Sequence, residues 1–336
     1  MRLAVPDLIS NSYFPAEAAV ELGFFAQEGL DVSLELIFPV DKAYAALREG
    51  TIDFVAGSAH SALAAFAQWD GVKLLCAQAQ GMYWFLVMHA DRGGRRGDLG
   101  VVKNCRIGAA PWVEMGLRRL LAEAGIDQQR DGVTIVPVPG AAGAGVNFGL
   151  NAARALEERK IDGFWANGMG TEVAVRAGVG TVILDVRRGD GPPGCFNYTM
   201  ASLAARADLV QREPTVAAAA VRAIVRTQTA LRHDVTRAGE VGEKLFPPAQ
   251  AELITDLVRR DLPFYDATIS RQFVAGMNGF ARDLGILHGD VPYDRIVATE
   301  LAALWLSADA APRRGGTAIF TVSHDPAVVN PDMGEP

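Results

Sequence analysis

Polar and apolar residues alternate over 30–38 (LDVSLELIF), the period of a half-buried strand. Just before it, Ala18, Ala19, Leu22, Phe25 and Ala26 recur at helical spacing, with Glu17, Glu21 and Glu28 off that stripe. The pattern predicts a short strand over 3–5, ended by Pro6, and then one helix over 15–28 that stops at Gly29. Asn11 or Ser12 is its expected N-cap, with Pro15 just inside the first turn. A second helix over 41–49 leads through Gly50 into a strand at 54–56, and Gly57-Ser58-Ala59-His60-Ser61 opens a third helix through Ala67. Another strand falls near 74–77. Strand and helix alternate, so a mainly parallel sheet is the economical arrangement.

The rhythm restarts after 91–98, a charged, glycine-rich join. Strands at 106–109, 133–138, 161–165 and 181–185 alternate with helices at 113–124, 147–158 and 171–177, which makes a second small α/β unit. From Leu203 onward helices dominate, over 214–233, 249–260, 270–284 and 294–303. Periodicity then lapses, and 306–336 reads as a C-terminal extension whose only strand-like run is 317–322.

Composition narrows the function classes. Half of the 336 residues are apolar and 21% charged, which excludes a disordered or fibrous chain. The formal charge is −7 and no basic run exceeds the Arg95-Arg96 and Arg313-Arg314 pairs, so nucleic acid is not the expected partner. The three cysteines, Cys76, Cys105 and Cys195, show no CxxC spacing, and His60, His89, His233, His288 and His324 are scattered. Neither a zinc cluster nor a disulfide framework is expected, and no cofactor is called for. The longest charge-free stretch, 74–90, contains Gln78, Gln80 and Gly81 and is too short and polar to predict a membrane span. The first residues lack the basic patch and apolar core of a secretory signal. The expected location is therefore cytoplasmic if this N-terminus is native, and periplasmic or extracytoplasmic if a leader has been removed.

Two motifs carry a resemblance. Gly23-Phe24-Phe25-Ala26-Gln27-Glu28-Gly29-Leu30-Asp31-Val32 and Leu47-Arg48-Glu49-Gly50-Thr51-Ile52-Asp53-Phe54-Val55-Ala56-Gly57-Ser58 resemble the NMT1/THI5-like substrate-binding proteins. Asp98-Leu99 through Arg106-Ile107-Gly108 is similar to that family's entry into its second lobe. The likeness spans roughly 1–305. It implies a two-lobed α/β periplasmic-binding-protein-like (type 2) fold, each lobe a mixed, mainly parallel sheet flanked by helices. Lobe one would be 1–88 plus 199–305 and lobe two 89–198, joined by crossovers at 87–90 and 196–202 and closing on a ligand by hinge motion. The implied function is solute capture for an ABC-type importer, by a monomer that meets an ABC permease.

In such a sheet the loops at strand carboxyl ends face the crevice, which selects the candidate ligand-binding residues. Asn11, Ser12, Tyr13 and Phe14 follow the first strand, and Ser58, His60 and Ser61 follow the third. Tyr83 and Trp84 adjoin the first crossover and Tyr198 the second. Trp112 and Glu114, then Trp165 and Asn167, follow strands of the second unit. So many aromatics suggest a small flat organic ligand, such as a pyrimidine, an aromatic acid or a sulfonate. The Gly140-Ala-Ala-Gly-Ala-Gly145 run has the wrong order and spacing for a dinucleotide loop.

The alternative is a cytoplasmic enzyme of the same fold acting on a small aromatic or heterocyclic substrate. The resemblance reaches aromatic sulfinate desulfinases, but serine occupies the approximate place of their cysteine in Ser10-Asn11-Ser12-Tyr13-Phe14. It also reaches thiamin-pyrimidine synthases, whose cysteine-rich motif is absent here. A lyase-like activity would have to use His60 as its acid or base.

Overall fold

The computed structural model describes residues 1–141 and 147–306. Strands Arg2–Val5 (β1), Ser33–Leu36 (β2), Phe54–Ser58 (β3) and Val72–Ala79 (β4) are interleaved with helices Phe14–Glu21 (α1), Phe24–Gln27 (α2) and Val40–Glu49 (α3). Next come strands Phe85–His89 (β5), Arg106–Ala109 (β6), Thr134–Val136 (β7), Gly163–Ala166 (β8) and Gly180–Asp185 (β9). Helices Glu114–Glu123 (α4), Phe148–Glu157 (α5) and Gly168–Arg176 (α6) join them. Ala201–Arg206 (β10) precedes helices Ala207–Arg212 (α7), Pro214–His233 (α8), Arg237–Leu245 (α9), Pro248–Asp261 (α10), Arg271–Asp283 (α11) and Tyr293–Ile296 (α12).

The strands form two five-stranded sheets of matching design, ordered β2-β1-β3-β10-β4 and β7-β6-β8-β5-β9. In each, four strands share a direction and one opposes them: β10 lies antiparallel between β3 and β4, and β5 between β8 and β9. The opposing strand is the first one the chain lays down on arriving from the other sheet. Residues 87–89 lie within β5, so the first pass between sheets precedes them, and β5 pairs wholly with the second sheet. Every residue of β3 is buried, as is expected of a sheet covered on both faces.

Local sequence explains where the elements depart from the expected ones. The helix expected over 15–28 is cut by Gly23, whose φ of +74° is left-handed, into α1 and α2. Tyr13, not Asn11 or Ser12, is the N-cap of α1, and it makes no side-chain cap bond. The third helix is a 3₁₀ turn over Ala59–Ala64. α6 begins earlier than expected because Asn167 caps it, accepting from the Met169 and Gly170 amides. The helix expected over 294–303 is α12 followed by a 3₁₀ segment, Thr299–Trp305, pinned where Trp305 Nε1 donates to the Leu75 carbonyl at 2.9 Å. α7 and α9 are additions. The expected run at 317–322, and all but Leu306 of the expected extension, lie outside the described residues, as do 142–145 of the glycine-rich run. Among the described residues no helix is long and apolar enough to cross a membrane.

Candidate functional site

The carboxyl ends of the parallel strands of both sheets converge on one pocket of about 440 Å³, counting its open mouth. Pro6 and Asp7 follow β1, Phe38 follows β2 and Val40 starts α3; from the other side come Ala110, Pro111, Val113, Phe148, Ala166 and Asn167. Tyr13, Tyr83 and Trp84 complete the wall. The lining is largely apolar, with a few convergent polar groups, which is the usual anatomy of a small-molecule site.

Those polar groups are tied across the two sheets. Asp7 Oδ2 accepts from Asn167 Nδ2 at 2.9 Å, and Oδ1 accepts from the Ile9 amide at 3.1 Å and from Asn147 Nδ2. Asn167 also donates to Ser10 Oγ at 3.3 Å. Burial pushes the Asp7 carboxyl up to about 7, against the lowering effect of the Ile9 amide and Asn167. The Tyr13 and Tyr83 hydroxyls share a 2.8 Å hydrogen bond, their rings meeting edge to face. Burial raises both phenols well above their ordinary range, so both stay protonated.

Of the residues expected from the strand ends, then, Tyr13, Tyr83, Trp84 and Asn167 line the pocket. The other ten do not. Asn11 donates to Asp261 Oδ2 at 2.6 Å, its own Oδ1 buried without a partner, and the Ser12 hydroxyl is likewise buried and unpartnered. Phe14 packs edge-on against Phe246 among the C-terminal helices, because one step along a helix swings a side chain by about 100° away from Tyr13. Ser58 and Ser61 share a hydroxyl hydrogen bond of 2.6 Å.

His60 is fully buried between the rings of Trp84, Trp112 and Phe280. Its Nε2 lies 3.1 Å from the Trp112 carbonyl, an acceptor only, so Nε2 carries the proton. Nδ1 is then a buried acceptor without a partner. Burial pushes His60 down to about 4, which keeps it neutral near pH 7. Trp112 presents that carbonyl from a left-handed φ of +67°, a conformation a bulky residue rarely adopts. Trp165 is buried behind Trp84, 6.0 Å between ring centres, and donates Nε1 to the Val113 carbonyl. Glu114, at the start of α4, keeps a buried, unpartnered Oε2, and burial raises its pKa. Tyr198 stacks on Phe280 at 4.6 Å and donates to Glu123, away from the lining.

Asp7, Phe38, Val40 and Phe148 are lining residues the strand-end argument passed over, while Pro111 and Val113 belong to the 110–114 loop from which it chose Trp112 and Glu114. Asp7 stands two residues past β1 and Phe38 two past β2, so the argument itself, applied closer to the strand ends, would have found them. Behind the pocket Arg187 lies over the Tyr83 ring, donating to Asp261 at 2.9 Å and to the Gln80 carbonyl. All three cysteines are free and buried, none in the pocket wall.

A family model described as NMT1/THI5 like matches residues 11–234. No curated protein matches the sequence. Among solved structures, a Bordetella bronchiseptica protein is 22% identical with a TM-score of 0.69, the match covering 90% of this chain and 95% of that one. The alkanesulfonate-binding protein SsuA of Xanthomonas axonopodis pv. citri, bound to MOPS, is 14% identical with a TM-score of 0.65, covering 90% and 96%. The periplasmic nitrate-binding protein NrtA of Synechocystis PCC 6803 is 14% identical with a TM-score of 0.63, covering 89% and 86%. These likenesses establish the periplasmic-binding-protein fold.

Proposed function

The chain belongs to the NMT1/THI5-like family, and from that premise we propose that it is the solute-capturing component of an ABC-type importer, holding a small flat organic ligand between two lobes that close by hinge motion. The observation that carries this reading is the pocket itself. It lies between two sheets, at the carboxyl ends of their parallel strands, and loops from both sides are joined over it by Asp7, Asn147 and Asn167. The lobes are drawn as 1–84 plus 199–305 and 85–198, the first boundary moved ahead of 88 because β5 pairs wholly with the second sheet, with β5 and β10 as the strands next to the passes between them. The protein acts as a monomer on the extracytoplasmic side and hands its ligand to a membrane permease. The solved relatives named for sulfonate and nitrate binding support the class of function and leave the ligand of this chain to its own pocket.

A thermal-unfolding screen of nitrogen heterocycles, aromatic acids and sulfonates tests this, with mass spectrometry of the best mixtures. A ligand at roughly a hundred times its Kd adds about 2.7 kcal/mol, enough to raise the unfolding temperature by several degrees in a chain of this size. The expected result is such a shift with the compound recovered intact. Consumption of the compound would replace capture by catalysis.

A further inference from the structure

Five helices begin at the pocket: Tyr13 is the N-cap of α1, Val113 of α4 and Asn167 of α6, while Val40 and Phe148 are the first residues of α3 and α5. Converging positive helix ends would ordinarily attract an anion. Here two of the five are capped from within the chain, and carboxyls stand near the starts of two others: Asp41 in the first turn of α3 and Glu114 in that of α4. Glu17, in the first turn of α1, is buried, and burial raises its pKa well above the usual range and keeps it protonated, so it sets no charge against that end. Asn147 and Asn167 turn their side-chain oxygens onto the free amides of α5 and α6.

The remaining polar side chains of the wall are a carboxyl, two phenols, an amide and the Trp84 indole, with no lysine, arginine or histidine among the described lining residues. Arg187 reaches the far side of Tyr83, but its charge is matched by Asp261. Among the described residues Asp7 Oδ2 accepts one hydrogen bond, which leaves it a lone pair to offer. A negatively charged group placed here would lose its water beside the Asp7 carboxyl, which carries its charge above about pH 7, and would meet no lysine, arginine or histidine among the described lining residues.

Building on the reading of this pocket as a solute site, we propose that it takes a flat ligand without negative charge, that the ligand donates an N–H to Asp7, and that Asp7 is the residue that rejects anions. Phe38, Tyr83, Trp84 and Phe148 supply the apolar faces for the ring. The pocket thus selects by charge as well as by shape, in the opposite sense to a sulfonate or nitrate site.

Four probes of one ring size separate charge from shape: benzamidine, benzamide, benzoate and benzenesulfonate, titrated by calorimetry well above pH 7, where Asp7 is ionised, and scored by unfolding temperature. Benzamidine and benzamide are expected to bind, and the two anions to bind at least about tenfold more weakly. In Asp7→Asn, checked for folding by circular dichroism, that gap narrows; should the variant not fold, the four titrations of the parent protein still decide. Benzoate or benzenesulfonate binding as tightly as benzamide overturns the charge assignment and leaves solute capture standing. Failure of all four at millimolar concentration also overturns it, and capture itself is then judged by the wider solute screen.

Discussion

At the scale of single residues, Asp7 and His60 pull stability in opposite directions with pH. Free in an unfolded chain, the Asp7 carboxyl ionises near 3.8, but burial holds its proton to about 7 in the folded protein. Its contribution is therefore full below 3.8 and is lost as pH rises through 7. His60 is the reverse: unfolded it takes a proton near 6.5, folded only at about 4, so its contribution is present above 6.5 and is lost as pH falls toward 4. Between those limits the two offset each other in the parent protein. Asp7→Asn should uncover the histidine, so that the unfolding temperature climbs more steeply from acid toward neutral pH, and His60→Gln should uncover the carboxyl and give a fall. Unchanged profiles in both variants would place the titrating groups elsewhere. The sequence made Tyr13, Tyr83, Trp84 and Asn167 legible because each adjoins a strand end. Phe148 was not legible, since an isolated phenylalanine reads as core until two sheets bring it beside another, and Phe38 was passed over because the alternation carried the expected strand through it, two residues beyond the end of β2.

Among the elements, glycines at chain reversals set what each segment can do. Gly23 and Gly81 both sit at φ +74°, but a methyl group on Gly23 meets nothing within 4 Å whereas one on Gly81 would fall 2.2 Å from the Phe196 ring. Gly23→Ala should therefore cost only the backbone strain, about 1–2 kcal/mol. Gly81→Ala should cost more, because Phe196 packs where the chain first passes between the sheets. Urea unfolding of the two variants checks the order, and equal losses would show that the ring moves aside freely. Periodicity located β6 and α8 to the residue. It ran past Gly23 because Leu22, Phe24 and Phe25 keep the apolar stripe continuous. It missed α9 because that helix is short, has no side-chain cap, and surrounds Ala238 and Val241 with Arg237, Glu240, Glu243 and Lys244.

Across the whole molecule, one carboxylate joins distant parts of the chain. Asp261, at the end of α10, receives Asn11 from the loop after β1 and both Arg187 and Arg188 from beyond β9. Arg187 and Asp261 are almost wholly buried. Asp261→Asn should cost about 3–5 kcal/mol, because it strands a buried guanidinium. Removing both partners, as Arg187→Met with Asp261→Leu, should cost less than the sum of the two single changes. Additive losses in denaturant titrations would show that the pair is not coupled. No local pattern announced this pairing, since its members are 74 residues apart. The restart of the strand and helix rhythm after 91–98 made two α/β units legible, the resemblance of the first two motifs gave their two-lobed arrangement, and the antiparallel places of β5 and β10 follow only from the path of the chain.

The bonds spanning the pocket have a kinetic meaning. Asp7 with Asn147 and Asn167, Ser10 with Asn167, and His60 with the Trp112 carbonyl run from one side of the pocket to the other. A molecule entering between them waits for the cleft to come apart, so stopped-flow association should reach a plateau with rising ligand concentration, at the frequency of spontaneous opening. A rate that climbs without limit would mean that the mouth alone admits the ligand. With a plateau, the same bonds also fix the residence time, and the exchange of cargo is timed by the protein rather than by how much solute surrounds it.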